Sequence, residues 1–490
     1  MEILMSYSEL SRVLGAQLFT WEGKQEAIPE NSGFSSVSID SRTVLPGALF
    51  VALKGTVNDG HRYVEAAFKA GATGALVALS ALENPDFGFH ALLKKFNRIL
   101  IVVKDTLAGL QDAAAAYLKK FPALVRVGIT GSSGKTTTKE IAAAIIGQEK
   151  HLVMNKGNLN SETGLPLSVF NVRSRHEVGI FEAGINHKGE MSALAKILNP
   201  NIALITNIGS AHIGILGSRE AIAEEKKKIF SEFDGSNTAL IPSDDDYRDF
   251  LAEAVRGKVA FYGEKSFAEL GEIRNCGLEG SEIQWNGQWI HFALPGRHII
   301  HDVLAAIAIA RELNVSGEAI KNGLESVEPM FGRGEILYGK TTVIRDCINA
   351  NPESLTSSIE FCESLDWPGR RIYIIGEMLE LGENSIESHK KIGNLLLKSK
   401  ANKVYFYGKE TEVAAEILKS AGADSRQNVP LCFHSCDMDE ISRSLETFLH
   451  KGDLVLLKGS KSCTMWKLSG VLTGDSRDEA ISRLAYEEVS

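Results

Sequence analysis

The sequence predicts an α/β protein of three domains, and three observations carry that prediction. The chain has 490 residues, far more than one ordinary domain needs. From Leu124 onward, short apolar runs alternate with helical patterns, the alternation of a parallel sheet covered on both faces. A second series of the same kind begins near Thr341. Hydrophobic residues make up 44% and charged residues 23% of the chain, enough apolar material for several cores.

In chain order, residues 1–123 form the first domain, with "GALFVALKG" and "GALVAL" as strands. Residues 124–331 form the central domain. There "LVRVGIT" is a buried strand followed by the helix "TTKEIAAAIIGQ", and "VGIFEAG" is a strand followed by "EMSALAKIL". "NIALITNIG" leads to the helix "REAIAEEKKKIFSEF", and "NTALIPS" and "KVAFYG" continue the series. Two strands, "SEIQWNGQ" and "WIHFALPG", interrupt it before the helix "HIIHDVLAAIAIAREL". The stretch "EPMFGRGE" around Gly332 marks the next boundary. Residues 332–490 hold the strands "TTVIRDCI", "RIYIIG", "KVYFYG" and "DLVLLKG", with helices such as "ESHKKIGNLLLKS" and "TEVAAEILKSAG" between them.

Composition excludes several classes. The net charge is −9 with no basic block, which argues against nucleic acid as a partner. No apolar run reaches membrane-spanning length, so no membrane insertion is expected. The start carries Glu2 and lacks a basic-then-apolar signal. The six cysteines are scattered, as in a reducing compartment. The expectation is a soluble cytoplasmic protein. Cys432, His434 and Cys436 alternate as a strand would and lack a clear fourth ligand, so no zinc site is expected there.

The stretch "VGITGSSGKTTTKE", Val127–Glu140, is the first chemical signal. A strand enters it and a helix leaves it. Gly131 and Gly134 let the backbone turn tightly and present its N–H groups. The helix N-terminus favours an anion. Lys135 adds a full charge, and the Thr136 hydroxyl suits magnesium. The standard spacing wants glycine where this chain has Ile129; Gly128 and Gly131 stand nearby instead. Such a loop binds a nucleotide phosphate but does not by itself separate a kinase from an ATPase, a GTPase or a ligase.

The rest of the chain narrows the choice. "GSSGKTT", "GNLNSETGLPLSV", "EAGINHKGEMSAL", "TNIGSAHI", "PGRH", "INANPESL", "GEMLELGENSIESH" and "KGS" occur in one order. This series closely resembles the Mur ligase family, ATP-dependent amide-forming enzymes of bacterial cell-wall synthesis. The N-terminal "DSRTVLPGALFVALKGTVNDGH" resembles the two later ligases of that pathway. "NANP" followed by serine, and "ELG" with a downstream histidine, are most similar to the member that uses D-alanyl-D-alanine.

The resemblance implies a UDP-sugar-binding α/β domain, a central P-loop mononucleotide-binding parallel-sheet domain and a C-terminal Rossmann-like domain. It also implies a reaction. ATP phosphorylates the terminal carboxylate of UDP-N-acetylmuramoyl-tripeptide, and the amine of D-alanyl-D-alanine displaces phosphate from the acyl phosphate. A carboxylate repels nucleophiles and has a poor leaving group; phosphorylation corrects both faults. Catalysis is then mostly positioning and electrostatics.

By resemblance, Gly131, Ser132, Ser133, Gly134, Lys135, Thr136, Thr137, Asn207, Asp302, Arg333 and Asp346 bind ATP. Lys135, Glu182, His212 and Lys226 are catalytic, and Thr136, Glu182, His212 and Lys226 surround Mg²⁺. Glu182 ends a strand, where parallel sheets present ligand crevices. Lys226 lies in "AEEKKKIF", which composition alone reads as a solvated helix face. The family implies that CO₂ carbamylates it. An ammonium about 4 Å from Mg²⁺ would cost roughly 8 kcal/mol at an effective dielectric of 20, whereas a carbamate supplies the oxygens magnesium prefers. Asp40, Ser41, Arg42 and Lys54 match positions around the UDP moiety, where Arg42 or Lys54 could pair with its diphosphate. Asn158, Asn160, Asn349, Asn351, Glu380 and Lys458 match substrate contacts, and His389 and Ser460 match further family positions. A monomer is expected.

Some positions depart from the family pattern. Ile299 and Asp302 stand where two asparagines are usual, Ile348 replaces a tyrosine, Ser161 an asparagine and Lys228 a glutamate. An ionised Asp302 could accept from adenine's amine but not donate to N7, which suggests a loosened base preference. Two alternatives stay open: a related ligase adding another amino acid or acting on folate or a polyamide, and a non-catalytic nucleotide-binding regulator.

Overall fold

The computed structural model describes residues 2–25, 28, 31–56, 58–422, 429–475 and 477. They gather into two compact units. One comprises Met1–Gly128, His151–Ile185 and Gly189–Pro200; the other comprises Ile129–Lys150, Asn186–Lys188 and Asn201–Ser490.

In the first unit, the strands Ser36–Ser38, Ala48–Val51, Gly74–Ala78 and Ile99–Val103 lie side by side in parallel. Gln17–Thr20 adds to the last of them antiparallel, and Gly23–Gln25 closes that edge. Ala48–Val51 is buried throughout, as a central strand covered on both faces must be. Phe50, Val77 and Val102 share one core with Phe68 and Leu93 of the helices Val64–Lys69 and Phe89–Phe96. The helix Thr106–Leu118 starts at Asp105, whose carboxylate accepts from the amides of Leu107 and Ala108. Outside that sheet, Leu152–Met154 pairs in parallel with Val178–Glu182, which carries Glu182 at its C-terminal end.

In the second unit, Ile202–Ile205, Thr238–Pro242 and Lys258–Tyr262 run parallel. The helices Lys135–Ile146 and Arg297–Glu312 pack on each other. Before the latter lies an antiparallel sheet of three strands, Leu270–Asn275, Ser281–Trp285 and Gln288–Phe292. Two of these were expected. The hairpin turns at Asn286–Gly287, with φ of 50° and 78°, the geometry that Asn-Gly favours, so Gln288 opens the second strand rather than closing the first. Leu270–Asn275 was not expected; "LGEIRN" is mostly exposed and its charges hide the period.

The remaining sheet has the order Glu335–Tyr338, Thr342–Asp346, Leu454–Lys458, Arg371–Ile375, Lys403–Tyr407, Leu431–Ser435. Only its first pair is antiparallel. Successive side chains go to opposite cores: Ile344, Tyr373 and Leu456 to one, Val343, Ile372 and Val455 to the other. Period-two alternation with both faces covered is the signature of a doubly wound sheet. Leu431–Ser435 contains Cys432 and His434 as strand residues, as expected; the His434 ring bonds the Gly408 carbonyl at 3.1 Å. Among the described residues no helix is long and apolar enough to cross a membrane.

Candidate active site

The site is built first on the loop Gly131–Gly134, between the strand Val125–Thr130 and the helix Lys135–Ile146. Gly131 has φ 151° and Gly134 φ 77°. A Cβ on Gly131 would lie 1.7 Å from Thr206 Oγ1, and one on Gly134 would lie 2.1 Å from Asp302 Oδ1. Both positions therefore exclude every side chain, by backbone conformation and by contact. Gly134 is the helix N-cap and supplies no side-chain cap, which suits an anion at the helix N-terminus.

The loop's two serines are committed to its shape. The amides of Ser132 and Ser133 donate to the backbone and side-chain oxygens of Asn207 at 3.0 and 3.1 Å. Asn207 Nδ2 donates to Ser133 Oγ at 2.8 Å, and the Gly209 amide donates to Ser132 Oγ at 2.9 Å. Asn207, expected at the nucleotide, braces the loop that would hold it. Thr136 and Thr137 are buried in the helix's first turn.

Two lysines converge here. Lys135 Nζ and Lys226 Nζ each donate to the Gly131 carbonyl at 2.9 Å. Lys226 is only 1% exposed, so the solvated-face reading of "AEEKKKIF" is wrong for this residue. The helix Arg219–Lys227 turns it inward with Ile222 and Ala223. Its neighbour Lys228 pairs with Glu225 at 2.6 Å, so the cation standing where the family has glutamate is offset locally. An ammonium buried in this way is costly without compensating charge or hydrogen bonds.

Asp302 lies behind the loop on the helix Arg297–Glu312, buried, accepting from Thr138 Oγ1 at 3.3 Å. Desolvation pushes its pKa up to about 8. The expectation of an ionised, accept-only Asp302 is therefore corrected: burial keeps the carboxyl protonated near neutrality, so it can donate as well as accept. Arg333 lies near enough to pull that pKa partly back.

His212 and Glu380 meet. His212 Nδ1 lies 2.5 Å from Glu380 Oε2, but the buried nitrogen has no aligned hydrogen-bond partner. Both residues hold positive φ, 64° and 63°. This contact holds the Glu380 carboxyl below its usual pKa despite partial burial. Beside them Ser210 donates from its amide and hydroxyl to the Glu353 carboxylate at 3.1 and 2.8 Å. Glu353 was not anticipated. The Glu380 loop is braced from below: Ser460 Oγ donates to the Glu377 carbonyl at 2.7 Å and accepts from the Leu379 amide. His389 Nδ1 donates to the Ser385 carbonyl while Nε2 accepts from the Met378 amide. Burial lowers the pKa of this histidine, consistent with a neutral ring that positions the loop.

At the adjoining strand ends, Asp346 and Lys458 are register partners. Lys458 Nζ lies 2.7 Å from Asp346 Oδ2 and donates to the Asn349 carbonyl at 2.8 Å. Asn351, expected at substrate, is the N-cap of the helix Pro352–Ser364. Its Oδ1 accepts from the Ser354 amide in a reciprocal capping box.

The first unit holds the remaining residues. Asn160 Nδ2 donates to Glu182 Oε1 at 2.6 Å. Asn155, not anticipated, brackets the same strand end: its amide donates to the Glu182 carbonyl and accepts from the Glu182 amide. Asn158 is exposed one turn away. Arg42 forks onto Asp40 through Nε and a terminal nitrogen, the shortest contact being 2.6 Å. That pairing lowers the Asp40 pKa. Ser41 stands between them, and the Lys54 backbone forms an isolated antiparallel β-bridge with Asp59. Of the four residues expected at a metal, Thr136, His212 and Lys226 lie in the second unit and Glu182 in the first.

Comparison with known proteins fits this arrangement. Three family models match in order: "Mur ligase family, catalytic domain" over residues 34–118, "Mur ligase middle domain" over 129–310 and "Mur ligase, glutamate ligase domain" over 332–461. The chain is 41% identical to the UDP-N-acetylmuramoyl-tripeptide–D-alanyl-D-alanine ligase of Treponema pallidum (strain Nichols), over 96% of this chain and 99% of that one. A crystal structure of MurF from Acinetobacter baumannii superposes with a TM-score of 0.83 at 25% identity, covering 97% of this chain and 100% of that one. MurF from Thermotoga maritima in complex with ADP superposes with a TM-score of 0.75 at 26% identity, covering 91% and 98%. With the ordered motifs, the phosphate loop and this end-to-end match together, the chain belongs to the Mur ligase family.

Proposed function

We infer that this chain is the ATP-dependent ligase that joins D-alanyl-D-alanine to UDP-N-acetylmuramoyl-tripeptide, forming one amide bond and releasing ADP and phosphate. The observation that carries the substrate assignment is the near full-length identity to a ligase of that name. The module boundaries we read are 1–123, 124–331 and 332–490, in support of which the three family matches fall one in each.

The residues supply what acyl activation needs. Lys135 and the helix N-terminus bind the ATP phosphates and hold the terminal phosphoryl group for attack by the tripeptide carboxylate. By the family pattern Thr136, Glu182 and His212 would serve Mg²⁺, which favours hard oxygen donors and would neutralise charge on the phosphates. Lys226 joins that set as a carbamate. A carbamylated nitrogen keeps one N–H, so the bond to the Gly131 carbonyl is compatible with the modification. Asn160 orients the Glu182 carboxylate. Arg42 and Lys54 hold the UDP diphosphate, and Asp302 and Arg333 stand on the nucleotide side. Asp346 stands with the nucleotide contacts, and Asn349, Asn351, Glu380 and Lys458 form the dipeptide side.

The attacking amine must be neutral, and the acyl phosphate must be kept from water; closure of the modules on substrate would do this. We read the enzyme as a cytoplasmic monomer. Phosphate release that requires both UDP-tripeptide and D-alanyl-D-alanine is expected. Release with another amino acid alone would assign a different Mur-type activity, and no release would favour a regulator. Lys226→Ala is expected to abolish turnover, with partial rescue by short carboxylic acids; full activity without them would exclude the carbamate.

A further inference from the structure

We propose that Cys276, Glu282 and His291 form a binding site for a borderline-soft divalent cation, zinc foremost, on the outer face of the three-stranded sheet. One ligand atom from each lies within 4.8 Å of the other two. The sheet register puts them there. Glu282 and His291 are direct cross-strand partners, with His291 Nδ1 3.9 Å from Glu282 Oε1. Arg274 is opposite Glu282 on the third strand, and Cys276 follows it by two residues, so its side chain keeps the same face. The Cys276 amide donates to the Gly280 carbonyl at 3.0 Å, which extends the ladder by one step and fixes the thiol diagonally from Glu282.

The separations suit the ion. Zinc bonds of about 2.0–2.3 Å in a tetrahedron place ligand atoms roughly 3.4–3.6 Å apart. The carboxylate–imidazole pair is within half an ångström of that, and the thiol needs a side-chain adjustment of about 1 Å. Thiolate, imidazole and carboxylate together select zinc over magnesium, which takes oxygen ligands. Three protein ligands leave a fourth position for water. Competition from the nearest cation is small: Arg274 lies over the Trp289 ring at 3.6 Å and contacts Glu272. Partial burial, then Glu282 and Glu279, hold the Cys276 thiol protonated. A divalent ion reverses this, because the same carboxylate becomes a ligand and the thiol deprotonates on binding.

The site has a structural lever. Cys276 caps the short turn Gly277–Glu279. Leu278 of that turn packs against the core that contains Ile344, Leu355 and Leu365. A cation tying Cys276 to the two neighbouring strands would fix the turn and so tighten its docking on the C-terminal sheet.

The test uses the full-length chain, reduced and stripped with chelator, titrated with Co²⁺. One equivalent is expected to produce a sulfur-to-cobalt charge-transfer band that Zn²⁺ displaces and millimolar Mg²⁺ does not. The band should vanish in Cys276→Ser. Affinity should fall at least tenfold in His291→Ala and Glu282→Gln. Zn²⁺ should raise the thermal midpoint of the parent chain but not of Cys276→Ser, with ligase turnover in Mg²⁺ unchanged by the substitution. Absence of the band, its persistence in Cys276→Ser, or an equal thermal shift in both proteins would overturn the proposal.

Discussion

Asp302 shows how one buried side chain sets a pH response. Its pKa of about 8 stands far above the roughly 3.9 of an aspartate in an unfolded chain. Between those values the folded state holds a proton that the unfolded state releases. Stability therefore falls as pH rises from about 4 to about 8, then levels off. Asp302→Asn keeps the acceptor for Thr138 and removes the ionisation. It is expected to be as stable as the parent near pH 4 and more stable at pH 8, by a few kcal/mol with about 5 as a ceiling. Urea midpoints at the two pH values measure this; parallel profiles would contradict a buried protonated acid. None of this was legible in "HDVLAAI", because nothing local says which face of that helix meets the phosphate loop. Lys226 taught the same lesson. Its charged neighbours suggested solvent, and only the family resemblance pointed inward. Asn155 and Glu353 were invisible for a related reason: their partners lie 27 and 143 residues away.

At the scale of elements, the phosphate loop was legible because its function demands local features: a strand, two glycines, a lysine and a helix in sequence. Gly134→Ala places a Cβ against Asp302 in a left-handed conformation. It should weaken ATP binding by at least two orders of magnitude, a loss calorimetry would read directly; near-parental affinity would mean the loop does not hold the phosphates as drawn. The capping box at Asn351 gives a second prediction. Asn351→Ala should cost about 1 kcal/mol of stability. A larger rise in KM for D-alanyl-D-alanine than for ATP would mark a substrate role beyond the cap. The parallel strands were legible from their apolar runs, since covered sheets need them. The strand Leu270–Asn275 was not, since its outer face is polar, and the Cys276 cluster was missed with it.

At the scale of the whole molecule, the chain uses one logic several times. The residues proposed for the chemistry include Glu182, Asp346 and Lys458 at strand ends, and helix termini and loops brace them. Fold class and reaction type followed from ordered motifs. What did not follow was how many of the residues matched to family positions serve as braces: Asn207, Asn160, Asn351, His389 and Ser460 each hold protein groups in place. In the proposed reaction these roles serve a single chemical event, transfer of the terminal phosphoryl group of ATP to a peptide carboxylate. Turnover of UDP-tripeptide labelled with ¹⁸O in its terminal carboxylate tests that event directly. Activation by phosphoryl transfer requires one labelled oxygen in each phosphate released; phosphate free of label would contradict it.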